Sequence, residues 1–120
     1  MSKRVFNTSE MVPIKGSTSR TVVFRSQIHE VHLWRVTPGE WIYPHTHPHN
    51  DDIWYIIQGK GEYYFTAREK KRVGPGDIAV AIPGDVHGIF NSGSEDLVVY
   101  SVLSPLPIEM DAVPGFEYPE

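Results

Sequence analysis

The stretch GEWIYPHTHPHNDDIWYIIQG, residues 39–59, contains two histidines one residue apart, His45 and His47, and an acidic residue, Asp52, five positions after the second. Successive side chains of a β-strand point to opposite faces, so residues at positions i and i+2 share a face. We therefore expect the two imidazoles to lie side by side. A third histidine, His87, follows forty residues after the second. These four side chains together predict a metal site with mixed nitrogen and oxygen ligands.

Short apolar or alternating runs recur along the whole chain and are separated by clusters of Gly, Pro, Asn, Asp and Ser. The runs are rich in Val, Ile, Tyr, Trp and Phe, which favour strands, and no helical periodicity extends past two turns. Many short strands at close spacing predict an all-β sandwich or barrel. We expect strands at about residues 21–24, 30–36, 41–43, 53–58, 62–66, 72–73, 78–82, 87–91 and 97–103.

The length of 120 residues predicts a single domain. The barrel core is expected over about residues 20–104, with an N-terminal arm over residues 1–19 and a tail over residues 105–120. Prolines at positions 105, 107, 114 and 119 prevent the tail from forming a central strand or a long helix. The apolar residues of the tail predict that it packs on the barrel or on a partner subunit.

Composition argues against several classes of function. The chain has 11 Lys and Arg against 15 Asp and Glu, a formal net charge of −4, whereas nucleic-acid-binding proteins are usually basic. It has no cysteine, so it forms no disulfide and must build any metal site from histidine and carboxylate. No apolar run reaches the roughly 20 residues that span a bilayer, and the first residues lack the apolar core of a secretory signal. We expect a cytoplasmic protein that does not bind membranes or nucleic acid.

The two histidine-containing stretches resemble the two motifs of the cupin superfamily. The first motif is written G-x5-H-x-H-x3,4-E-x6-G, and residues 39–59 resemble it. The second is written G-x5-P-x-G-x2-H-x3-N, and GDIAVAIPGDVHGIFN, residues 76–91, resembles it. Sixteen residues separate Gly59 from Gly76, which is similar to the short spacing in small single-domain cupins. The resemblance implies one jelly-roll, or double-stranded β-helix, barrel domain over residues 1–120.

Two positions depart from the family pattern. Asp52 takes the place of the usual glutamate and is one methylene shorter, so it could bind the metal directly, bind it through water, or leave a coordination position open. Ile82 takes the place of the usual proline, with Pro83 one step later, which should only adjust the turn. The metal ligands that the resemblance implies are His45, His47, Asp52 and His87. The resemblance also implies that Asn91, the last residue of the second motif, supports a turn.

The ligand types restrict the metal only partly. Imidazole nitrogen and carboxylate oxygen suit divalent iron, manganese, nickel, copper and zinc. Structural zinc sites usually include cysteine, which this chain lacks. Three histidines and one short carboxylate leave room for water or substrate, as in a catalytic site where the metal polarises an oxygen or activates water. A divalent transition metal is therefore the expected cofactor.

Strand alternation predicts which neighbours of the ligands share their face. If Asp52 faces inward, Trp54 and Ile56 should face inward too, while Tyr55 and Ile57 should face outward.

The remaining histidines carry separate predictions. His49, just after Pro48, is expected in a loop or supporting role, and His32 is expected in the barrel wall. His29 is expected in a loop.

The resemblance implies an enzyme of isomerase, lyase or dioxygenase type that acts on a small hydroxy or keto acid or a sugar-derived substrate. Candidate catalytic groups for proton transfer are His49, Asp51 and Tyr63, with Tyr43 as a further candidate. The alternative is a cupin that binds or senses a small molecule without turnover. The resemblance also implies a homodimer, because small cupins often pair through sheet faces with their N-terminal strands crossing over. The apolar chain ends, Val5-Phe6 and residues 106–118, are plausible contact surfaces.

Overall fold

The computed structural model describes residues 3–11 and 17–119 of the chain. Within these residues the chain forms one 3₁₀ helix, Thr8–Glu10, and ten strands. None of the described residues belongs to a helix that is long and apolar enough to cross a membrane. The strands are β1 (Ser19–Arg25), β2 (Glu30–Val36), β3 (Trp41–Thr46), β4 (Asp51–Gln58), β5 (Gly61–Tyr64), β6 (Lys70–Val73), β7 (Ile78–Ala81), β8 (His87–Phe90), β9 (Leu97–Ser104) and β10 (Asp111–Ala112).

The strands form two five-stranded sheets in which every pairing is antiparallel. The first sheet has the order β1-β2-β9-β4-β7 and the second has the order β10-β3-β8-β5-β6. Trp54 and Ile56 of the first sheet pack in one buried cluster with Ile42 and Ile89 of the second, so the core lies between the sheets. The all-β, double-stranded β-helix prediction is confirmed.

Alternation along β4 matches the prediction. Asp52, Trp54 and Ile56 are buried, with 3%, 2% and 1% of their surface exposed, whereas Tyr55 and Ile57 are 42% and 37% exposed. One face of β4 therefore points into the barrel and carries the carboxylate predicted for the metal site. The other face is apolar but open.

Each predicted strand corresponds to one of β1–β9, although several ends differ. β3 continues to Thr46 and β4 begins at Asp51, so only four residues separate the two strands. β10 was not predicted. It pairs Asp111 with Thr46 and Ala112 with His45 on β3. A two-residue strand in a proline-rich segment is too short to show alternation, so the sequence carried no signal for it.

Candidate metal centre

The pairing of β3 with β8 brings the three predicted histidine ligands together. His45 is directly opposite His87 in the register, after an irregularity that follows Ile42. His47 lies one residue beyond the end of β3. The ring centroids of His45 and His87 are 4.1 Å apart, and His47 is 4.9 Å from each of them. The prediction that His45 and His47 present neighbouring imidazoles is confirmed.

A glycine next to His87 permits this close approach. A Cβ placed on Gly88 would lie 2.6 Å from both the Cα and the nitrogen of Pro44, which is far inside van der Waals contact. Pro44 falls within the irregular part of β3, immediately before His45. We infer that only glycine at position 88 lets β8 pack against this segment and hold the two histidines opposite each other.

Asp52 reaches the histidines from the other sheet. Its Oδ2 lies 3.0 Å from Nε2 of His87 and 3.5 Å from Nε2 of His47. Each of the four predicted ligands offers one atom such that all of these atoms lie within 4.8 Å of one another. The barrel therefore gathers three imidazoles and one carboxylate that could hold a metal ion.

Backbone carbonyls fix the orientation of all three imidazoles. A carbonyl oxygen only accepts hydrogen bonds, so in the neutral form of each imidazole Nδ1 carries the proton and Nε2 presents a lone pair. Such hydrogen bonds are the usual means by which proteins orient metal-binding histidines. Nδ1 of His45 donates to the carbonyl of Tyr43 at 2.7 Å, and Nδ1 of His47 donates to the carbonyl of Glu109 at 2.7 Å. Nδ1 of His87 donates to the carbonyl of Asp85 at 3.2 Å.

The resulting arrangement fits a cation. With Nδ1 protonated, the Nε2 lone pairs of His47 and His87 face the carboxylate of Asp52 at short distance, and two acceptors repel unless a positive charge lies between them. Nε2 of His47 and Oδ1 of Asp52 are also buried without a hydrogen-bond partner among the described residues. Buried polar atoms of this kind are rare and costly. A divalent metal would satisfy both atoms, so the donor set fits the predicted cofactor.

The pKa values of the cluster describe its state without a metal, in which a proton can supply the positive charge beside Asp52. Burial and the neighbouring His87 lower the pKa of His45 to about 4. Burial opposes ionisation of Asp52, but its contacts with His47 and His87 prevail and lower its pKa to about 2. Burial also opposes protonation of His47, but its contacts with Asp52 and the Glu109 carbonyl outweigh burial and raise its pKa. At neutral pH Asp52 is anionic and His45 is neutral, as metal ligands must be.

The C-terminal tail completes the support of His47. Asn50, which is 1% exposed, donates from Nδ2 to the carbonyls of Pro105 and, at 3.0 Å, of Pro107. Its Oδ1 accepts from the backbone nitrogen of Glu109 at 3.2 Å. The carbonyl of Glu109 is the acceptor for His47, so Asn50 holds the group that orients this ligand. Sequence reasoning missed Asn50, although its position inside the first motif was a usable signal.

A second set of contacts ties the tail to β3. The hydroxyl of Tyr118 donates to the carbonyl of Pro44 at 2.6 Å and accepts from the backbone nitrogen of Val113 at 2.8 Å. The ring of Tyr118 also packs edge-on against Phe116, with centroids 4.7 Å apart. The tail thus lies along the barrel beside the histidine cluster.

Three of the four candidate ligands, His45, His47 and Asp52, line a cavity of about 420 Å³ between the two sheets and the tail. Ile108 and Met110 of the tail line it on one side, and Arg20 of β1 lines it on another. Its remaining walls are strongly aromatic and include all three tryptophans of the chain. The aromatic residues are Trp34, Trp41, Tyr43, Trp54 and Tyr118.

The predicted proton-transfer residues lie in different surroundings. His49 and Asp51 are not among the residues that line this cavity, and Asp51 is exposed. Tyr63 packs against Trp54, with ring centroids 5.7 Å apart, and lines a separate groove. Burial, with Asp52 nearby, raises the pKa of Tyr63. Tyr43 does line the cavity. The catalytic roles of these residues stay predictions.

His32, which lines the cavity and pairs with Glu30, was not predicted to take part in catalysis. His32 on β2 is 1% exposed, as expected for a wall residue, and its Nε2 lies 2.6 Å from Oε1 of Glu30. This hydrogen bond to His32 lowers the pKa of Glu30 against the opposing effect of burial. Nδ1 of His32 has no hydrogen-bond partner among the described residues. The sequence separates His32 from both motifs, so nothing connected it with the site.

The last residue of the second motif has a structural role. Asn91 donates from Nδ2 to the carbonyls of Val36 at 2.8 Å and Glu95 at 2.9 Å, and its Oδ1 accepts from the nitrogen of Gly93 at 2.9 Å. These contacts fix the turn between β8 and β9 and do not involve the cavity. The expectation that Asn91 supports a turn is confirmed.

Comparison with known proteins agrees with the geometry. Residues 32–103 match the family model described as the cupin domain, so the chain belongs to the cupin family. A search of curated proteins gave no match. The chain is similar to a crystal structure of an uncharacterized conserved protein with a double-stranded β-helix domain from Klebsiella pneumoniae, with 36% identity, 92% of this chain and 96% of that chain covered, and a TM-score of 0.85.

Two further solved structures share the fold. KdgF from Halomonas sp. is 26% identical over 87% of this chain and 96% of its own, with a TM-score of 0.74. A protein from Thermus thermophilus is 22% identical over 86% of this chain and 98% of its own, with a TM-score of 0.78. In all three cases nearly the whole of the other chain is covered, so the similarity extends over a complete barrel.

Proposed function

We propose that this cupin is a metal-dependent enzyme of isomerase, lyase or dioxygenase type. The observation that carries the proposal is the cluster of His45, His47, Asp52 and His87, the first three of which line a cavity large enough for a small substrate. A bound divalent metal would supply Lewis-acid polarisation of a substrate oxygen. The chain itself binds the substrate, excludes bulk water and moves protons.

The walls of the cavity favour a small substrate that has oxygen at one end and a flat face. A hydroxy acid, a keto acid or a sugar derivative would present such an oxygen to the histidine cluster. Flat faces pack well on the aromatic rings of Trp34, Tyr43 and Trp54, which line the cavity. Arg20 offers a cation for a substrate carboxylate, and it lies 5.9 Å from the ring of Trp34.

His32 is the group that we propose for proton transfer in addition to the predicted candidates His49, Asp51 and Tyr63. Glu30 holds one ring nitrogen of His32, which leaves the other nitrogen free to accept or release a proton, as in other carboxylate–histidine pairs. A proton-transfer group in the cavity wall supports isomerase or lyase chemistry over dioxygenation, because proton movement at carbon is the central step of the former.

Metal analysis tests the proposal first. Protein purified without chelator or nickel resin should contain close to one iron, manganese, nickel, copper or zinc ion per chain by elemental mass spectrometry. The double variant His45→Ala/His47→Ala should contain none, while His49→Ala, which replaces a histidine outside the cavity lining, should retain the metal. A wild-type protein that is folded yet neither contains nor takes up metal would contradict the proposal.

The metal-loaded protein is then incubated with a panel of hydroxy acids, keto acids and uronic acids, and products are followed by proton NMR. Turnover that is lost in His32→Asn, with metal content retained, would support the role of His32. The same loss in His49→Ala but not in His32→Asn would favour the predicted loop histidine instead.

The alternative is a cupin that binds or senses a small molecule without turnover. The observation that favours it is that His49 and Asp51 lie outside the cavity lining, which leaves few proton-transfer groups inside. Because all three tryptophans line the cavity, their fluorescence should report ligand binding directly. Binding without any chemical change across the panel would support this reading. In either case we propose a cytoplasmic homodimer with a small-molecule partner and no membrane or nucleic-acid partner.

A further inference from the structure

Three inward-facing residues form one row across the first sheet. His32 of β2 pairs with Ser101 of β9, and Ser101 pairs in turn with Trp54 of β4. All three are buried, with 1%, 0% and 2% of their surface exposed. His32 and Trp54 line the cavity beside the candidate metal centre, and Ser101 lies between them on the central strand of the sheet. We call these three residues the polar row.

Each member of the polar row carries a buried polar atom that has no hydrogen-bond partner among the described residues. These atoms are Nδ1 of His32, Oγ of Ser101 and Nε1 of Trp54. Eight side-chain atoms of the described residues share this property, and two of the other five belong to His47 and Asp52 of the metal cluster. Such atoms are rare in folded proteins, because each has given up its hydrogen bonds to water without a replacement. Their concentration along one wall therefore indicates a place where a bound molecule completes the hydrogen bonding.

The polar row lies one step along the strands from the metal cluster. Asp52 precedes Trp54 by two residues on β4, so the two side chains share a face and start about 7 Å apart. The ring of Trp54 also packs edge-on against that of His87, with centroids 5.4 Å apart. Paired residues on neighbouring strands are about 5 Å apart, so the row extends roughly 10 Å from Trp54 to His32. A short carbon chain that is held at the cluster by one end therefore reaches the polar row with its other end.

The chemistry of the polar row sets its pattern of donors and acceptors. Nε1 of Trp54 only donates, and Oγ of Ser101 both donates and accepts. The hydrogen bond between Oε1 of Glu30 and Nε2 of His32 lowers the pKa of the Glu30 carboxyl, so the carboxylate is ionised at neutral pH and accepts from Nε2. In the neutral imidazole of His32, Nδ1 is then an acceptor. The row thus presents a donor, a hydroxyl and an acceptor in that order.

We propose that the polar row is a subsite that recognises hydroxyl groups of the substrate. A hydroxyl donates to one atom and accepts from the next, whereas a ketone or carboxylate oxygen only accepts and would leave Nδ1 of His32 unpaired. This role rests on the proposed function and narrows its substrate class to acids with several hydroxyl groups, such as sugar acids, in preference to keto acids. A site built to bond a hydroxyl rejects an analogue that lacks it, because the buried polar atoms of the site then stay unpaired.

Two members of the polar row separate recognition from chemistry. His32 is also the group proposed for proton transfer, so a change at this position alters both. Ser101 and Trp54 carry no proton that the reaction moves, and they act on the substrate only through hydrogen bonds and packing. Changes at these two positions therefore test the choice of substrate without removing the proposed proton-transfer group.

Calorimetric titration of the metal-loaded protein with D-gluconate and with 2-hydroxyhexanoate tests the proposal. Both acids have the same carbon chain length, a carboxylate and a 2-hydroxyl, but only gluconate has hydroxyls further along the chain. Ser101→Ala should weaken gluconate binding about tenfold and change 2-hydroxyhexanoate binding by less than about twofold. Trp54→Phe, which keeps an aromatic ring but removes the N–H, should show the same selectivity. Ser104→Ala, on the same strand as Ser101 but outside the cavity lining, is the matched control and should bind both acids as the wild type does.

Urea unfolding of the ligand-free protein gives a second readout. Oγ of Ser101 has no partner to lose among the described residues, so Ser101→Ala should leave the urea midpoint unchanged or raise it. A lower midpoint would mean that this hydroxyl bonds within the protein, which would overturn the subsite.

The titrations also separate this subsite from the proposed function. If Ser101→Ala changed the binding of both acids equally, or of neither, ordered water would be the occupant of the polar row. The subsite would then be overturned, and the proposed function would stand. If neither acid bound to the metal-loaded wild type, the substrate class of the proposed function and the subsite would be overturned together.

Discussion

The β3–β8 strand pair and the C-terminal tail support the same histidine cluster in different ways. In the strand pair, His45 and His87 each bond a carbonyl two residues away, at Tyr43 and Asp85, so their orientation is fixed locally. His47 depends on Glu109, which is 62 positions later in the tail. Two of the predicted ligands are thus built into the barrel, and the third is completed by a segment that closes over it. Changes in the pair should affect the fold first, whereas loss of the contacts between Asn50 and the tail should weaken metal binding as well as the fold.

The largest effect is expected in the strand pair, from Gly88→Ala. The added Cβ would meet the backbone of Pro44 at 2.6 Å, and backbone cannot move aside as a flexible side chain can. We expect a loss of about 3 kcal/mol in the free energy of unfolding, the upper range for overpacking. Urea denaturation followed by tryptophan fluorescence measures it. Gly74→Ala is the control, because the nearest atom to its added Cβ is 3.7 Å away.

A slightly smaller loss of stability is expected from Asn50→Ala, because Asn50, between β3 and β4, holds the tail. The substitution removes partly buried hydrogen bonds to Pro105, Pro107 and Glu109. We expect the free energy of unfolding to fall by about 2.5 kcal/mol. Metal affinity should fall at least about tenfold, because the carbonyl that orients His47 is no longer held.

Competition with a fluorescent chelator measures the metal affinity of the Asn50 variant. Asn7→Ala is the matched control, since Asn7 is exposed and its side chain accepts from the nearby Ser9. If Asn50→Ala lost stability but bound metal as tightly as the wild type, the tail would be a structural cover with no part in orienting His47.

The strand pair also carries a specific dependence on pH. The pKa of His45 is about 4 in the folded protein, below the ordinary value of 6.5, because of burial and the neighbouring His87. The unfolded chain therefore binds a proton that the folded chain does not, between these two pH values. Stability from this group is complete above pH 6.5 and is lost as the pH falls toward 4. We expect a loss of about 2 kcal/mol across this range in metal-free protein, less than the roughly 3 kcal/mol of the full shift, because His45 is only partly buried.

Thermal and urea unfolding in the presence of chelator measure the pH dependence. In His45→Gln this part of the slope should disappear. In His29→Gln, where an exposed loop histidine is replaced, the slope should match the wild type. An identical slope in wild type and His45→Gln would mean that the burial of His45 does not disfavour its charged form.

The difference between the local contacts of the strand pair and the long-range contacts of the tail also explains which features of the site could be predicted from the sequence. Candidate ligands follow from residue chemistry and local spacing, so His45, His47, Asp52 and His87 could be predicted from two motifs. The inward face of β4 followed from alternation alone. These features depend on contacts within a strand or on motifs with a fixed spacing.

Other features depend on contacts between distant segments, which a single sequence does not encode in a readable pattern. The bond from the tail to His47 joins residues far apart in the chain, and β10 is too short to alternate. The approach of Gly88 to Pro44 is visible only once the register of β3 and β8 is known. His32 is distant from both motifs and meets the cavity only because β2 lies in the same barrel wall.

The smallest effect is expected at the far end of the tail, from Tyr118→Phe. The hydroxyl joins the nitrogen of Val113 to the carbonyl of Pro44, so its removal costs two hydrogen bonds at a partly exposed position. We expect a loss of about 1 kcal/mol in the free energy of unfolding. Tyr43→Phe is the matched control, since its ring lies 6.2 Å from that of Tyr118 in the same aromatic group.

Metal affinity should be nearly unchanged in Tyr118→Phe, because Asn50 still holds Glu109 against His47. A tenfold loss of affinity in this variant would show that the tail acts as one unit and that its two anchors cannot be separated.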